Sequence, residues 1–173
     1  MRKAELSTSE WAVLAAVGEG ETHGFLLGAL FEPGSELGGI WRIQRPQIYR
    51  ALERLEHRGL IAEAGREAGE GGPPRVRYRV TPRGREEVNR WLSQPVTQLR
   101  FGRSDLRLKL AFLLRSGQDW RGLLVAQGQI YRAQIDAFEA ASREAEGVAR
   151  ISLLWRLEMA RAGLRYLERL LEP

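Results

Sequence analysis

The sequence predicts a mainly α (α+β) fold: a small domain of helices with one two-stranded ribbon, followed by an appended C-terminal helical region. Three observations predict it. Several stretches repeat apolar residues at helical spacing, one segment alternates strictly between arginine and apolar residues, and capping residues with Gly or Pro breaks mark where elements start and stop.

Leu6-Ser7-Thr8-Ser9-Glu10-Trp11 marks the first helix start, with Ser7 as N-cap, Glu10 completing a capping box, and Leu6 and Trp11 as the flanking staple. This helix is expected to run to about Val17, with Trp11, Leu14 and Ala15 inward, and to stop at Gly18-Glu19-Gly20. Thr22 is expected to cap a second helix through Phe31, ended by Pro33-Gly34. After a loop over residues 35–44, Pro46 opens a third helix that runs to about Arg58. Ile48, Ala51, Leu52 and Leu55 form its apolar stripe, Gln47, Arg50, Arg54 and Arg58 lie opposite, and Gly59 is the stop.

Leu60 to Ala64 reads as a short strand. Arg75 to Val80 reads as a second, with Arg75, Arg77 and Arg79 on one face and Val76, Tyr78 and Val80 on the other. The Gly- and Pro-rich stretch Gly65 to Pro74 between them is expected to be a long hairpin tip, holding the acidic Glu67 and Glu70. Thr81 and Pro82 restart a helix carrying Val88, Trp91 and Leu92 to about Ser93. Pro95 to Arg103 is the candidate boundary, which places one domain at residues 1–95 and a helical region at 96–173. In that region the last helix, from Ala149 to Glu172, spaces Leu153, Leu157, Ala160, Leu164, Leu167 and Leu171 by 4, 3, 4, 3 and 4. Such a heptad seam is expected to pair with a second copy.

Composition removes several function classes. There is no cysteine, hence no disulfide, thiol chemistry or Cys-ligated zinc. No segment approaches the ~18 apolar residues of a spanning helix, and the N-terminus lacks a secretory pattern, so a cytoplasmic protein without membrane contact is expected. His23 and His57 are the only histidines and form no metal-binding motif, Gly-Glu-Gly-Gly-Pro-Pro is no phosphate loop, and neither a metal, a cofactor nor catalysis is expected. His23 is assigned to support of the second helix start. The net charge of +5 is unevenly spread: residues 1–39 carry 2 basic and 6 acidic groups, 40–103 carry 14 and 7, and 104–173 carry 11 and 9. Only Lys3 and Lys109 are lysines, and guanidinium is the cation whose planar fork suits phosphate and guanine.

Three helices, the third with a polar-basic outer face, followed by an arginine-lined ribbon, make the layout of a winged helix-turn-helix domain. The major groove of duplex DNA admits one α-helix, and a ribbon beside it rests on phosphates. The first turn reaches deepest, so Gln44, Arg45, Gln47 and Arg50 are assigned to bases, and Tyr49, Arg54, Arg75 and Arg77 to phosphates. A winged helix used only for protein contact is the alternative, since the fold does not fix function. Trp11 and Trp155 are candidates to line a pocket between protomers for a small aromatic effector.

Two stretches, Gln47-Ile48-Tyr49-Arg50-Ala51-Leu52-Glu53-Arg54-Leu55-Glu56-His57-Arg58-Gly59-Leu60-Ile61 and Pro74-Arg75-Val76-Arg77-Tyr78-Arg79-Val80-Thr81-Pro82-Arg83-Gly84, resemble the core of the PadR family. His23-Gly24-Phe25 is similar to that family's opening of helix 2. The resemblance covers roughly residues 6 to 92 and is mainly architectural beyond them. It implies a homodimer that represses transcription and is released by a small ligand; two reader helices about one helical turn apart are then expected to demand a dyad-symmetric operator.

Overall fold

Ser7 and Glu10 set the start of α1 (Thr8–Glu19). Glu10 N–H donates to Ser7 Oγ at 3.3 Å, and Ser7 N–H donates to Glu10 Oε2 at 2.7 Å, so each side chain satisfies a donor at the open helix end. The structure is a computed structural model that describes residues 5–69 and 72–172; the N-terminal residues 1–4 and Glu70, assigned above to the hairpin tip, lie outside them. Ala12 to Val17 are all buried. α1 is therefore an interior helix, apolar on nearly every side, rather than one with the single inward face expected. Trp11 is only half-buried and stacks on Trp91, with 5.4 Å between ring centroids and 6° between planes.

The second helix starts later than expected. Thr22 and His23 form a two-residue strand, β1, and the N-cap is His23, whose Nδ1 accepts Leu26 N–H at 3.2 Å to open α2 (Gly24–Leu30). His23 has an extended backbone because it pairs with a later strand, so helical geometry begins only at Gly24. α3 (Arg45–His57) follows, with Ile48, Ala51, Leu52 and Leu55 buried and α1 and α2 packed against it. Gly59 ends it at φ +67°, the left-handed region where a side chain is strained.

β2 (Ile61–Gly69) and β3 (Gly72–Val80) form the ribbon, and with β1 they make an antiparallel sheet of order β1-β3-β2. Both strands outrun the prediction. Residues 65–69 and 72–74, whose glycines and prolines marked them as a loop, continue the ladder. Gly65, at φ +140°, takes up a register shift after Glu63, and pairing resumes at Gly65↔Arg77. α4 (Pro82–Ser93) then starts on Thr81, whose Oγ1 accepts Gly84 N–H at 3.0 Å. A Cβ at Gly84 would sit 1.9 Å from the Leu60 carbonyl oxygen, so the close seating of α4 on that backbone requires glycine.

The chain divides into two compact units. One runs through Leu92 and includes Arg107–Gly117, most of α5 (Asp105–Arg115); the other combines Ser93–Leu106 with the chain from Gln118 onward. In the first, Arg115 pairs with Glu19 and Glu36, which raise its already high pKa. In the second, a 3-10 turn at Leu99–Gly102 precedes α6 (Arg121–Glu144) and α7 (Gly147–Leu171). Gln127, fully buried on α6, holds the preceding segment by a reciprocal pair: its Nε2 donates to Val96 O at 2.9 Å and its Oε1 accepts Val96 N–H at 2.7 Å.

α6 and α7 bury the seam expected to meet a second copy. Leu157, Ala160 and Leu167 are buried within the chain and Leu153 and Leu164 half-buried, while Leu171 is exposed. Phe138 and Ile135 of α6 share a cluster with Leu153, Leu157 and Ala160, and Gly163 lies directly against the Tyr131 ring. An amphipathic helix buries its stripe on whatever partner is nearest, and here the same chain supplies one. Within one chain, α6 thus covers most of the seam expected to meet a second copy. A different row stays outside, Val148, Ile151, Trp155, Met159 and Tyr166, with Ile151 70% and Trp155 69% exposed. Among the described residues no helix is long and apolar enough to cross a membrane.

Candidate nucleic-acid interface

Burying one stripe of α3 forces its other faces outward. Gln44, Arg45, Gln47, Tyr49, Arg50 and Arg54 are all exposed, and Arg75 and Arg77 of β3 are half-exposed. Gln47 Oε1 accepts Gln44 N–H at 3.0 Å, so this glutamine also fastens the helix start. Arg50 has no ion pair among the described residues.

α2 carries glycine at the two positions where α3 comes nearest. A Cβ at Gly24 would meet the Tyr49 ring at 2.5 Å, and one at Gly28 would meet the Arg45 stem at 3.3 Å. Glycines four apart lie on one helix face, so together they let Tyr49 and Arg45 rest on α2. The sequence reading took Gly24 only as part of a similarity and missed Gly28; the i, i+4 glycine pair was the available signal.

Three interface arginines are matched by acids from the first 36 residues. Arg54 meets Glu10 at 3.3 Å, Arg77 meets Glu21 at 2.7 Å, and Arg45 meets Glu32 at 2.8 Å. The Arg45 and Arg77 pairs are half-exposed on both sides and are worth only ~0–1 kcal/mol each. The Glu10 pair differs because its carboxylate is buried. Burial pushes the Glu10 carboxyl up, but the Ser7 N–H and hydroxyl and the Arg54 guanidinium outweigh it and hold the group below its ordinary value of 4.5. On β3, burial and the carboxylates of Glu56, Glu63 and Glu53 raise the Tyr78 phenol, which stays neutral. Phe25, named from sequence only within the His23-Gly24-Phe25 likeness, is exposed and carries two guanidiniums, Arg45 at 4.9 Å and Arg75 at 4.5 Å from its centroid.

The two tryptophans assigned to an effector pocket fall in separate units: Trp11 stacks on Trp91 in the first, and Trp155 belongs to the second. There Trp155 lines a cavity of about 620 Å3 with Phe138, Gln134, Arg100, Arg103 and Arg156, and among the described residues no carboxylate lines it. Arg156 lies 4.3 Å from the Phe138 centroid, and Gln134 Oε1 is buried without a hydrogen-bond partner.

Three helices, a ribbon and an exposed polar-basic third helix define the first unit as a winged helix-turn-helix domain. Residues 13–90 match the model of the transcriptional regulator PadR-like family. It is 29% identical over 92 residues to the probable transcriptional regulator Rv1176c of Mycobacterium tuberculosis, a match covering 53% of this chain and 47% of that one. The chain thus spans about half the length of this curated relative. Among solved structures it is similar to Bacillus subtilis PadR in complex with operator DNA, at 23% identity and TM-score 0.45 over 94% of this chain and 97% of that one. Bacillus subtilis PadR in complex with p-coumaric acid matches at 22% identity and TM-score 0.42, covering 96% of each chain.

A depressed Glu10 contributes stability that is present above its unfolded-state value and is lost as pH falls through its folded-state value. Glu10→Gln is expected to cost about 1–2 kcal/mol at neutral pH, where the charged capping bonds are intact. The gap should close in acid, where wild-type Glu10 is itself neutral. Urea unfolding of both proteins, near neutral pH and well below 4.5, checks this; an equal gap at both would overturn the assignment.

Proposed function

We propose that this chain is a sequence-specific, double-stranded-DNA-binding transcriptional regulator, a homodimeric repressor released by a small aromatic ligand. The observation that carries the reading is the exposed row Gln44, Gln47 and Arg50 at the start of α3, beside a ribbon bearing Arg75 and Arg77. Gln44, Gln47 and Arg50 approach base edges in the major groove, and Tyr49, Arg54 and Arg77 hold phosphates. Residues 96–173 serve dimerisation. The partner surface is the outward row of α7, since a second copy covering Ile151, Trp155 and Met159 removes a continuous apolar strip from water. Two reader helices about one helical turn apart then require a dyad-symmetric operator. The ligand is a planar aromatic anion, for which the three arginines and Trp155 of the second unit's cavity supply opposite charge and a flat face.

Gln47→Ala and Arg50→Ala are each expected to lower operator affinity by ~1–3 kcal/mol more than affinity for unrelated duplex, while Arg77→Ala weakens both alike. Titrations at fixed salt check this; equal losses in all three variants overturn the roles, and wild type lacking any salt-dependent duplex binding points instead to a protein-contact module.

Ile151→Asp is expected to give folded monomers that hold an isolated half-site but lose most affinity for the full operator. Leu157→Asp, with a carboxylate inside the α6–α7 core, should instead unfold that unit. Light scattering with circular dichroism separates the two, and an intact Ile151→Asp dimer would sink the interface.

Aromatic acids should quench Trp155 fluorescence saturably and lower operator occupancy. Arg156→Gln should weaken the quenching about tenfold or more, as the loss of a charge-assisted contact implies; undiminished quenching in that variant removes the cavity from the reading.

A further inference from the structure

We infer that Phe25 is a positioning residue that sets Arg45 and Arg75 as one seat for a DNA backbone phosphate, so that α3 and the ribbon engage the duplex together. This rests on the DNA-binding reading and changes the role expected of Arg45 from base contact to backbone contact.

Phe25 is 42% exposed although it follows directly on buried His23 and Gly24, so it adds little to the core. What it does touch is two cations from different elements. Arg45 opens α3 and Arg75 lies on β3, and their guanidinium carbons stand 4.9 and 4.5 Å from the same ring centroid. The face of an aromatic ring attracts a guanidinium, but two like charges gathered on one ring repel each other. Glu32 answers part of that charge by pairing with Arg45 at 2.8 Å, and Arg75 has no ion pair among the described residues. Two guanidiniums against one carboxylate leave a net positive charge, which an oxyanion completes.

The restraint on Arg45 points the same way. Its stem rests against the bare face of Gly28, its head lies on Phe25, and its Nη2 is held by Glu32. A side chain fixed at stem and head is poorly placed to follow a base edge and well placed to meet a phosphate whose position the duplex sets. Glu32 holds it only through an exposed pair, which an incoming phosphate displaces readily. Phe25 therefore keeps two arginines, 30 residues apart in sequence, at a separation that neither element alone determines.

The test compares Phe25→Leu with Phe25→Tyr in the full chain. Phe25→Leu removes the ring and should lower affinity for operator and unrelated duplex alike by about five- to thirtyfold. It should also reduce the salt slope by about one. Phe25→Tyr keeps the aromatic face and should restore both, and the melting temperature should stay near wild type in each. Arg45→Gln and Arg75→Gln should be non-additive in wild type and additive in the Phe25→Leu background, a result that a merely structural Phe25 does not produce. Without DNA, inorganic phosphate should shift the Nε–H resonances of Arg45 and Arg75 together in wild type but not in Phe25→Leu. A protein that shows this phosphate response yet binds no duplex keeps the seat and loses the regulator reading. Unchanged affinity and slope in Phe25→Leu, additive arginine losses in wild type, or no phosphate shift at either arginine overturns the seat.

Discussion

The packing of one apolar stripe governs the first unit. Ile48, Ala51, Leu52 and Leu55 of α3 are buried with α1 and α2 packed against the helix, and α1 can serve as that platform because it is itself apolar nearly all round. Once the stripe is placed, the helix has no freedom to rotate about its axis. Gln44, Gln47, Arg50 and Arg54 then point to solvent as a consequence of where four other residues went. The glycines of α2 act on the same constraint from the other side, letting the exposed Tyr49 and Arg45 lie down on α2 rather than stand off it. A polar face meant for a ligand is therefore specified largely by residues that never touch one.

Charge is arranged with similar economy. Along the chain, the acidic first segment and the basic middle look like two properties of two regions. In the fold they are one surface: Glu10, Glu21 and Glu32 reach Arg54, Arg77 and Arg45. Half-exposed pairs of this kind contribute little to stability, but they fix where long side chains rest and lower the self-repulsion of a crowded basic patch. Arg50, without an ion pair among the described residues, stands apart from this arrangement. Glu10 stands apart for another reason, since its carboxylate is buried and serves the capping box of α1 as well as Arg54.

What was legible in the sequence is what local chemistry determines. The Ser7/Glu10 box, the Thr81-Pro82 start, the Gly59 stop and the α3 stripe each follow from a few neighbouring residues, and each is found where it was read. The misplacements all involve partners distant in sequence. Thr22 and His23 become a strand only because β3 lies alongside, which also moves the α2 cap onto His23. The ribbon extends through Gly- and Pro-rich sequence because cross-strand pairing overrides a composition that reads as loop. The leucine seam of α7 had the right period, and α6 of the same chain covers much of it, since spacing tells that a stripe must be covered and not by what. For the interface, the outward residues of α3 could be named from periodicity, whereas Phe25 and the matching acids could not, because their significance lies in contacts across 13 to 56 positions.

The near absence of lysine has a consequence for control. Lys109, the one lysine among the described residues, is buried with its ammonium 5.2 Å from the Trp91 ring centroid. The permanent positive charge of the interface is thus carried by guanidinium, which does not deprotonate in proteins and is not a substrate for acylation at nitrogen in the way an ε-amine is. Acetylation, which switches many basic surfaces by erasing lysine charge, finds no exposed lysine among the described residues. Neither a shift of pH near neutrality nor lysine acetylation changes the charge on these arginines; their occupancy is set by geometry and by competing anions.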